Sequence, residues 1–323
     1  MSTVDTRAPG LAGPRDRPAP GPSRGRRSRG ERPGIAFLFL SPWVLGALLL
    51  TIGPMLASLY LSFTDYNLFT TPNWVGLDNY RKLFTDDPRF LGAIWVTVKY
   101  VLISTPLKLV AALAVALLLN QVGSGSGLYR SAFYAPSLLG ASVAVALVWR
   151  VIFDNNGVVD QAFAAIGIET GGFVSSPRYA LLVIVSLSVW QFGAPMVIFL
   201  AGLKQIPREL YDASAVDGAG WWRTLFSVTL PMLSPVIFFN LVLETIHSFQ
   251  AFTPAFVVSS GRGGPSDSTL FYTLYLYQKG FVEFRMGYAS AMAWILVLTI
   301  ALITALIFRT ARSWVFYQGE GAR

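Results

Sequence analysis

The sequence predicts an all-α polytopic membrane protein with six transmembrane helices and both termini on the cytoplasmic side. Composition is the first reason. Apolar residues make up 54% of the 323 residues and charged residues 13%, against globular shares of about 45–50% and about 25%. The second reason is clustering: the apolar residues gather into six runs. Each run reaches the roughly 20 residues that a helix rising about 1.5 Å per residue needs to cross about 30 Å of hydrocarbon. The third is the distribution of lysine and arginine.

The first 34 residues carry Arg7, Arg15, Arg17, Arg24, Arg26, Arg27, Arg29 and Arg32 among many Pro and Gly. Such a segment buries too little apolar surface to order itself, so 1–34 is expected to be a disordered cytoplasmic tail. It reads as a topology determinant; no folded nucleic-acid reader accompanies it, and no nucleic-acid partner is expected. The run 35–63 is the first transmembrane helix. It far exceeds the 7–15 residues of a signal-peptide core and lacks an Ala-x-Ala exit, so it is expected to remain as an anchor.

An extracytoplasmic loop follows over 64–91. Five further spans, near 92–119, 130–153, 179–203, 229–257 and 288–309, form a core over 92–311, and 312–323 is a cytoplasmic C-terminal tail. Pro42, Pro54, Pro106, Pro136, Pro195 and Pro254 lie in or near the ends of these runs. They are tolerable where neighbouring helices or water satisfy the carbonyls that proline frees.

Orientation follows from the excess of positive charge on the inside. With the N-terminus cytoplasmic, the inside segments hold the eight tail arginines with Arg130, Lys204, Arg208, Arg223, Arg309, Arg312 and Arg323. The outside segments hold Arg81, Lys82, Arg89, Arg150, Arg178, Arg262, Lys279 and Arg285. The tail and the first span therefore set the orientation, since the remaining charges nearly balance. The polar segment 204–228 then falls inside, while two turn-rich segments, Trp74 to Tyr80 and Gly263 to Thr269, fall outside.

Several chemistries are excluded. There is no cysteine and a single histidine, His247, which removes disulfides, cysteine-ligated zinc and thiol catalysis. No Gly-x-x-x-x-Gly-Lys-Ser/Thr phosphate loop occurs; the glycines of Gly123 to Gly127 have no lysine after them. No hydrolase or metalloprotease motif suggests an intramembrane enzyme.

The segment from Pro207 to Pro231 is the most informative stretch. Pro207 suits a helix start, where its missing N–H costs nothing. Glu209 and Asp212 then lie one turn apart near a helix N-terminus, placed to accept charge-assisted bonds from an arginine of a partner. Ala213, Ser214 and Ala215 are small enough for close backbone approach, and Gly218 supplies freedom for a turn. Trp221, Trp222 and Phe226 return the chain to the interface, and Pro231 opens the fifth span. Alone, this is equally an amphipathic loop resting on the membrane surface.

Asp212, Ala213, Ser214, Gly218, Val228, Leu230 and Pro231 resemble a family pattern: Glu-Ala-Ala, three residues, Gly, nine residues, Ile-x-Leu-Pro. It marks the ATPase-docking loop in membrane subunits of binding-protein-dependent ABC importers. Trp74 to Tyr80, Gly263 to Pro265 with Ser268 and Thr269, and Gly287 to Ala291 extend the resemblance to the carbohydrate-uptake, maltose-type branch, from roughly Phe37 to Tyr317. Asp212 and Ser214 depart from the pattern, so Glu209 is expected to share the acidic role.

The resemblance implies a type I ABC importer permease fold in the bacterial cytoplasmic membrane. It also implies a second homologous permease subunit, two ATPase subunits and an extracytoplasmic solute-binding protein. No cofactor is expected on this chain: ATP and Mg belong to the ATPases. The implied activity is transport of a sugar or oligosaccharide without covalent chemistry, with glycerol phosphate or a similar sugar-like solute as the alternative.

Ionisable residues deep in spans are functional candidates. Asn240, Glu244 and His247 share one face of the fifth span, with Gln250 three residues on, and Lys108 lies inside the second. A Lys108–Glu244 pair that fixes helix packing is one reading. The other is a solute path using Trp190, Gln191, Asn240, Glu244, His247, Phe249, Gln250 and Phe252. Aromatic faces would meet sugar C–H surfaces, and the polar groups would bond hydroxyls. His247 beside Glu244 also allows a proton relay, the mark of an ion-coupled secondary transporter, although that class calls for internal repeats, which are not evident.

Overall fold

A computed structural model describes residues 33–122, 126–140, 142–167 and 171–316. Most of the expected tails and the residues Gly123 to Gly125 lie outside these. The chain divides into two compact units, Met1–Met55 and Leu56–Arg323. The described part of the first is helical: α1 (Pro33–Ala47), a wider π turn (Leu48–Ile52) and the start of α2 (Gly53–Ser62).

In the second unit the end of α2 is followed by α3 (Asp78–Thr85), α4 (Pro88–Gln121), α5 (Ser126–Leu139), α6 (Val143–Phe153) and α7 (Val158–Ala165). Then come α8 (Ala180–Trp190), α9 (Gly193–Leu203), α10 (Arg208–Val216) and α11 (Trp221–Thr224). The last are α12 (Leu230–Phe249), α13 (Thr253–Val258), α14 (Tyr272–Tyr277) and α15 (Met286–Ala311). Among the described residues, four stretches are long and apolar enough to cross a membrane: Leu38–Ser62, Pro88–Gln121, Trp221–Val258 and Met286–Ala311. The number rises to six when each of two bent pairs, α5 with the stretch Val143–Ala165 that holds α6 and α7, and α8 with α9, is taken as one span.

Those bends differ from the continuous helices expected over 130–153 and 179–203. The first pair turns by 93° and the second by 42°. At the second break Pro195 has no N–H to give to the Gln191 carbonyl four residues earlier. Ser137 of α5 satisfies it instead: its Oγ donates to the Gln191 carbonyl at 2.9 Å and accepts the Ala194 N–H at 2.9 Å. Gly193 makes the approach possible, since a Cβ there would stand 2.5 Å from the Phe133 carbonyl. The broken helix is thus held by its neighbour, as irregular backbone within apolar surroundings requires.

The segment 64–91 is more ordered than a turn-rich loop. Asn79 donates to the carbonyls of Ser62 (2.9 Å) and Thr64 (2.8 Å), and Tyr80 Oη donates to Ser62 Oγ at 2.8 Å. The Trp-Val-Gly-Leu-Asp-Asn-Tyr motif is therefore a clasp that folds the segment onto the end of α2. α4 begins four residues before the expected span, capped by Asp87, which accepts the Phe90 N–H at 3.1 Å, with Pro88 next.

α4 is the central post, packing along α8, α9 and α12. Its first half belongs to an aromatic core with Phe90, Tyr100, Phe249, Phe271, Tyr272 and Tyr275. Its second half offers Ala112 and Ala116, both fully buried, to Met196, Phe199 and Leu203 of α9. Small residues at such a seam let two backbones approach closely.

Candidate functional site

The site has two parts joined by one helix. The first is the segment around α10. Pro207 stands at the N-cap and Glu209 lies in the first turn. Glu209, Asp212 and Ala213 are exposed, and no α10 residue is buried.

The helix ends in a Schellman motif: Gly218 N–H donates to the Ala215 carbonyl at 3.1 Å and Ala219 N–H to the Ser214 carbonyl at 2.9 Å. Gly218 has φ +70°, the left-handed conformation that glycine adopts without a Cβ penalty.

α10 is tied to the following helix by side chains. Ser214 Oγ and Thr224 Oγ1 are 3.3 Å apart, and Tyr211 Oη and Thr229 Oγ1 are 3.4 Å apart. Ser214, where the family pattern has alanine, therefore adds a link that a methyl group lacks. From Trp221 the chain is helical through α11, a π turn (Leu225–Thr229) and α12. The fifth expected span thus begins eight residues early, and Pro231 lies inside a longer helix rather than opening it. Trp221, Trp222, Phe226 and Val216 are all more than half exposed, Val216 at 89%.

The second part is a polar cavity of about 270 Å³. It lies where three helix breaks meet: Gly140 after α5, Gln191 between α8 and α9, and Gln250, Ala251 and Phe252 between α12 and α13. Pro254 withholds an N–H from the third break. Lys108, Glu244, His247 and Ser248 complete the wall with Tyr100, Ser188 and Thr253. Lys108 Nζ donates to Glu244 Oε2 at 2.7 Å with both side chains largely buried. Gln191 Nε2 donates to the Gly140 carbonyl at 2.9 Å, closing one break on another.

Of the residues singled out in the sequence, Gln191, Glu244, His247, Gln250, Lys108 and Phe252 line this cavity. Trp190, Asn240 and Phe249 do not. Trp190 packs on Trp149 with ring centres 5.3 Å apart. Phe249 is buried in the aromatic core. Asn240 is buried one turn closer to Pro231 than Glu244. Helical spacing placed Asn240 on the face of Glu244 and His247, but along α12 the lining begins at Glu244, one turn further on. Tyr100, Ser188, Ser248 and Thr253 escaped the sequence reading; their only signal is hydroxyl groups inside apolar runs.

α12 connects the two parts. Trp221 to Phe249 spans roughly 40 Å at about 1.5 Å per residue, with the α10 ties at one end and Glu244, His247 and Ser248 at the other.

Residues 86–313 match the family described as binding-protein-dependent transport system inner membrane component. The chain is 49% identical over 285 residues to the probable ABC transporter permease protein YesP of Bacillus subtilis, covering 88% of this chain and 92% of that protein. It is 32% identical to the lactose transport system permease protein LacF of Rhizobium radiobacter (85% and 93% covered). It is 30% identical to the sn-glycerol-3-phosphate transport system permease protein UgpA of Escherichia coli (88% and 96% covered). The crystal structure of a bacterial alginate ABC transporter contains a chain of like fold, with a TM-score of 0.73 at 21% identity, covering 87% of this chain and 95% of that one. The match over 86–313, which contains both α10 and the cavity, makes this chain a permease subunit of the binding-protein-dependent ABC transporter family.

Proposed function

We propose that this permease subunit passes a sugar or short oligosaccharide into a bacterial cell. The observation that carries the reading is the pairing of an exposed acidic helix, α10, with a hydroxyl- and amide-lined cavity at opposite ends of one helix. Gln191, Gln250, His247 and Ser188 offer hydrogen bonds to hydroxyls, and Phe252 offers an aromatic face. Lys108 is neutralised by Glu244, so the cavity favours an uncharged solute over a phosphoester, although a glycerol phosphate permease is among the relatives.

In this reading both bent pairs are spans, giving six with both termini cytoplasmic, in the bacterial cytoplasmic membrane. The first span is 35–63, the extracytoplasmic loop 64–91 and the permease core 92–311. A second permease subunit completes the path, and an extracytoplasmic binding protein delivers the solute. ATP and Mg act on two ATPase subunits that dock on the loop 204–228. Glu209 and Asp212 supply the acidic contacts, Ala213 and Ser214 allow close approach, and Gly218, Leu230 and Pro231 set the turn and the helix entry.

The test is affinity purification of the tagged chain in mild detergent, wild type against Asp212→Arg with Glu209→Arg, and mass spectrometry of the co-purifying chains. Recovery of an ATPase and a second permease with the wild type, and loss of the ATPase alone with the double variant, is the expected result. Full ATPase recovery with the double variant would remove α10 from the docking surface.

A further inference from the structure

Pro235 has no N–H, so the Pro231 carbonyl four residues earlier loses its helical partner. Ser234 replaces it: its Oγ donates to that carbonyl at 2.7 Å. The same oxygen accepts the backbone N–H of Phe316 at 2.8 Å. Ser234 is only 4% exposed, so neither bond competes freely with water.

Phe316 arrives there because the chain turns back after α15. Ser313 closes on the Thr310 carbonyl through its N–H (3.1 Å) and its Oγ (2.8 Å), and the Val315 N–H donates to the Ala311 carbonyl at 2.9 Å. Trp314 packs against Phe238 of α12, with ring centres 6.1 Å apart, and Phe308 of α15 meets the same ring at 4.8 Å. Residues 312–316 thus form a strap across α12 at Ser234 and Phe238, one and two turns beyond Leu230 and Pro231.

The strap crosses the weakest part of that helix. Two prolines four residues apart remove two backbone donors, and the π turn Leu225–Thr229 lies immediately before them. Helices bend at such places. Motion entering from α10 would be absorbed there unless something holds the turn.

We propose that Ser234 is a positioning residue for coupled transport: by filling the freed Pro231 carbonyl with its own hydroxyl and holding the Phe316 N–H of the strap at 312–316 on the same oxygen, it stiffens α12 so that loop motion reaches Glu244. This rests on the docking role given above to α10. Ser234 touches neither solute nor ATPase; it acts through the helix.

The test uses the complete complex in proteoliposomes, with solute uptake and ATP hydrolysis measured on the same preparation. Ser234→Ala is expected to lower uptake per ATP about fivefold, the factor carried by one buried hydrogen bond, while hydrolysis stays within about twofold. Ser234→Thr keeps a hydroxyl and restores the ratio. Phe316→Pro removes the strap's N–H together with the ring, leaves the α12 sequence unaltered and should reproduce the loss; Phe316→Ala, which loses the ring but keeps the N–H, should stay near wild type, so the pair decides the matter if Ser234→Ala fails to assemble. An unchanged ratio in both Ser234→Ala and Phe316→Pro, or uptake and hydrolysis falling together in Phe316→Pro, overturns the inference. ATPase retained by the Asp212→Arg, Glu209→Arg variant would instead overturn the docking role, so the two failures are distinguishable.

Discussion

Lys108 Nζ and Glu244 Oε2 stand 2.7 Å apart on the wall of the polar cavity, joining α4 to α12. Removing one partner strands the other charge in a poorly hydrated place, a change that typically costs about 3–5 kcal/mol, whereas replacing both with apolar groups is often neutral. Lys108→Ala or Glu244→Ala should therefore lower the detergent-phase melting temperature sharply, and Lys108→Met with Glu244→Leu should recover most of it. Uptake by the recovered double variant then separates the two roles: retained uptake means packing, and lost uptake in a stable complex places the pair on the path.

A second knot lies at the start of α4. The Asp87 carboxylate accepts from Tyr275 Oη (2.7 and 2.8 Å) and Tyr288 Oη (2.7 Å) as well as from the Phe90 N–H. Burial raises its pKa, but these bonds and the nearby Lys279 charge outweigh burial and hold it below 3.8. A carboxyl depressed in the folded state contributes stability that is present above its unfolded pKa and lost as pH falls through the lower folded value. Melting temperature should decline as pH drops below about 4, and Asp87→Asn should flatten that slope while lowering stability at neutral pH. Tyr275→Phe should steepen nothing and lower the neutral-pH stability by less than Asp87→Asn does.

The long apolar helices were legible because lipid imposes a coarse rule on composition, and Lys108 and Glu244 stood out because few ionisable groups lie inside those runs. The breaks were not legible. Pro195 is visible in the sequence, but the bend depends on Ser137, 54 positions from Gln191, and on the closeness Gly193 permits. Local periodicity carries no record of such a partner. For the same reason Trp190 and Phe249 read as path residues: an aromatic ring in a span looks alike whether it faces a cavity or a neighbouring tryptophan. The α10 segment was the reverse case, since its turn and helix are encoded by adjacent residues.

Gly193 gives a direct test of that long-range closeness. A methyl group there would meet the Phe133 carbonyl at 2.5 Å, Ser137 Oγ at 2.7 Å and Tyr134 Cα at 2.8 Å. Two of those atoms are backbone, so α5 and α9 must separate. Overpacking of this kind costs about 1–3 kcal/mol. Gly193→Ala should lower the melting temperature and release the Ser137 bridge, detectable as faster hydrogen exchange at Ala194, with Gly193→Leu worse.

Gly218 separates conformation from space. A Cβ there meets nothing within 4 Å, yet φ is +70°, so any cost of Gly218→Ala comes from the backbone alone, about 1–2 kcal/mol. Because α10 is exposed and contributes little to the core, that cost should hardly move the global melting temperature. It should appear as ATPase affinity reduced by about 5–30-fold, the same energy read as a binding constant. Gly218→Asn should be milder, since asparagine also ends helices in this conformation. Gly92 is the control: it sits in α4 with nothing within 4 Å of a Cβ and no positive φ, so Gly92→Ala should stabilise by about 0.5–1 kcal/mol. Equal ATPase affinity in Gly218→Ala and wild type would mean that the turn after α10 is not read by the ATPase.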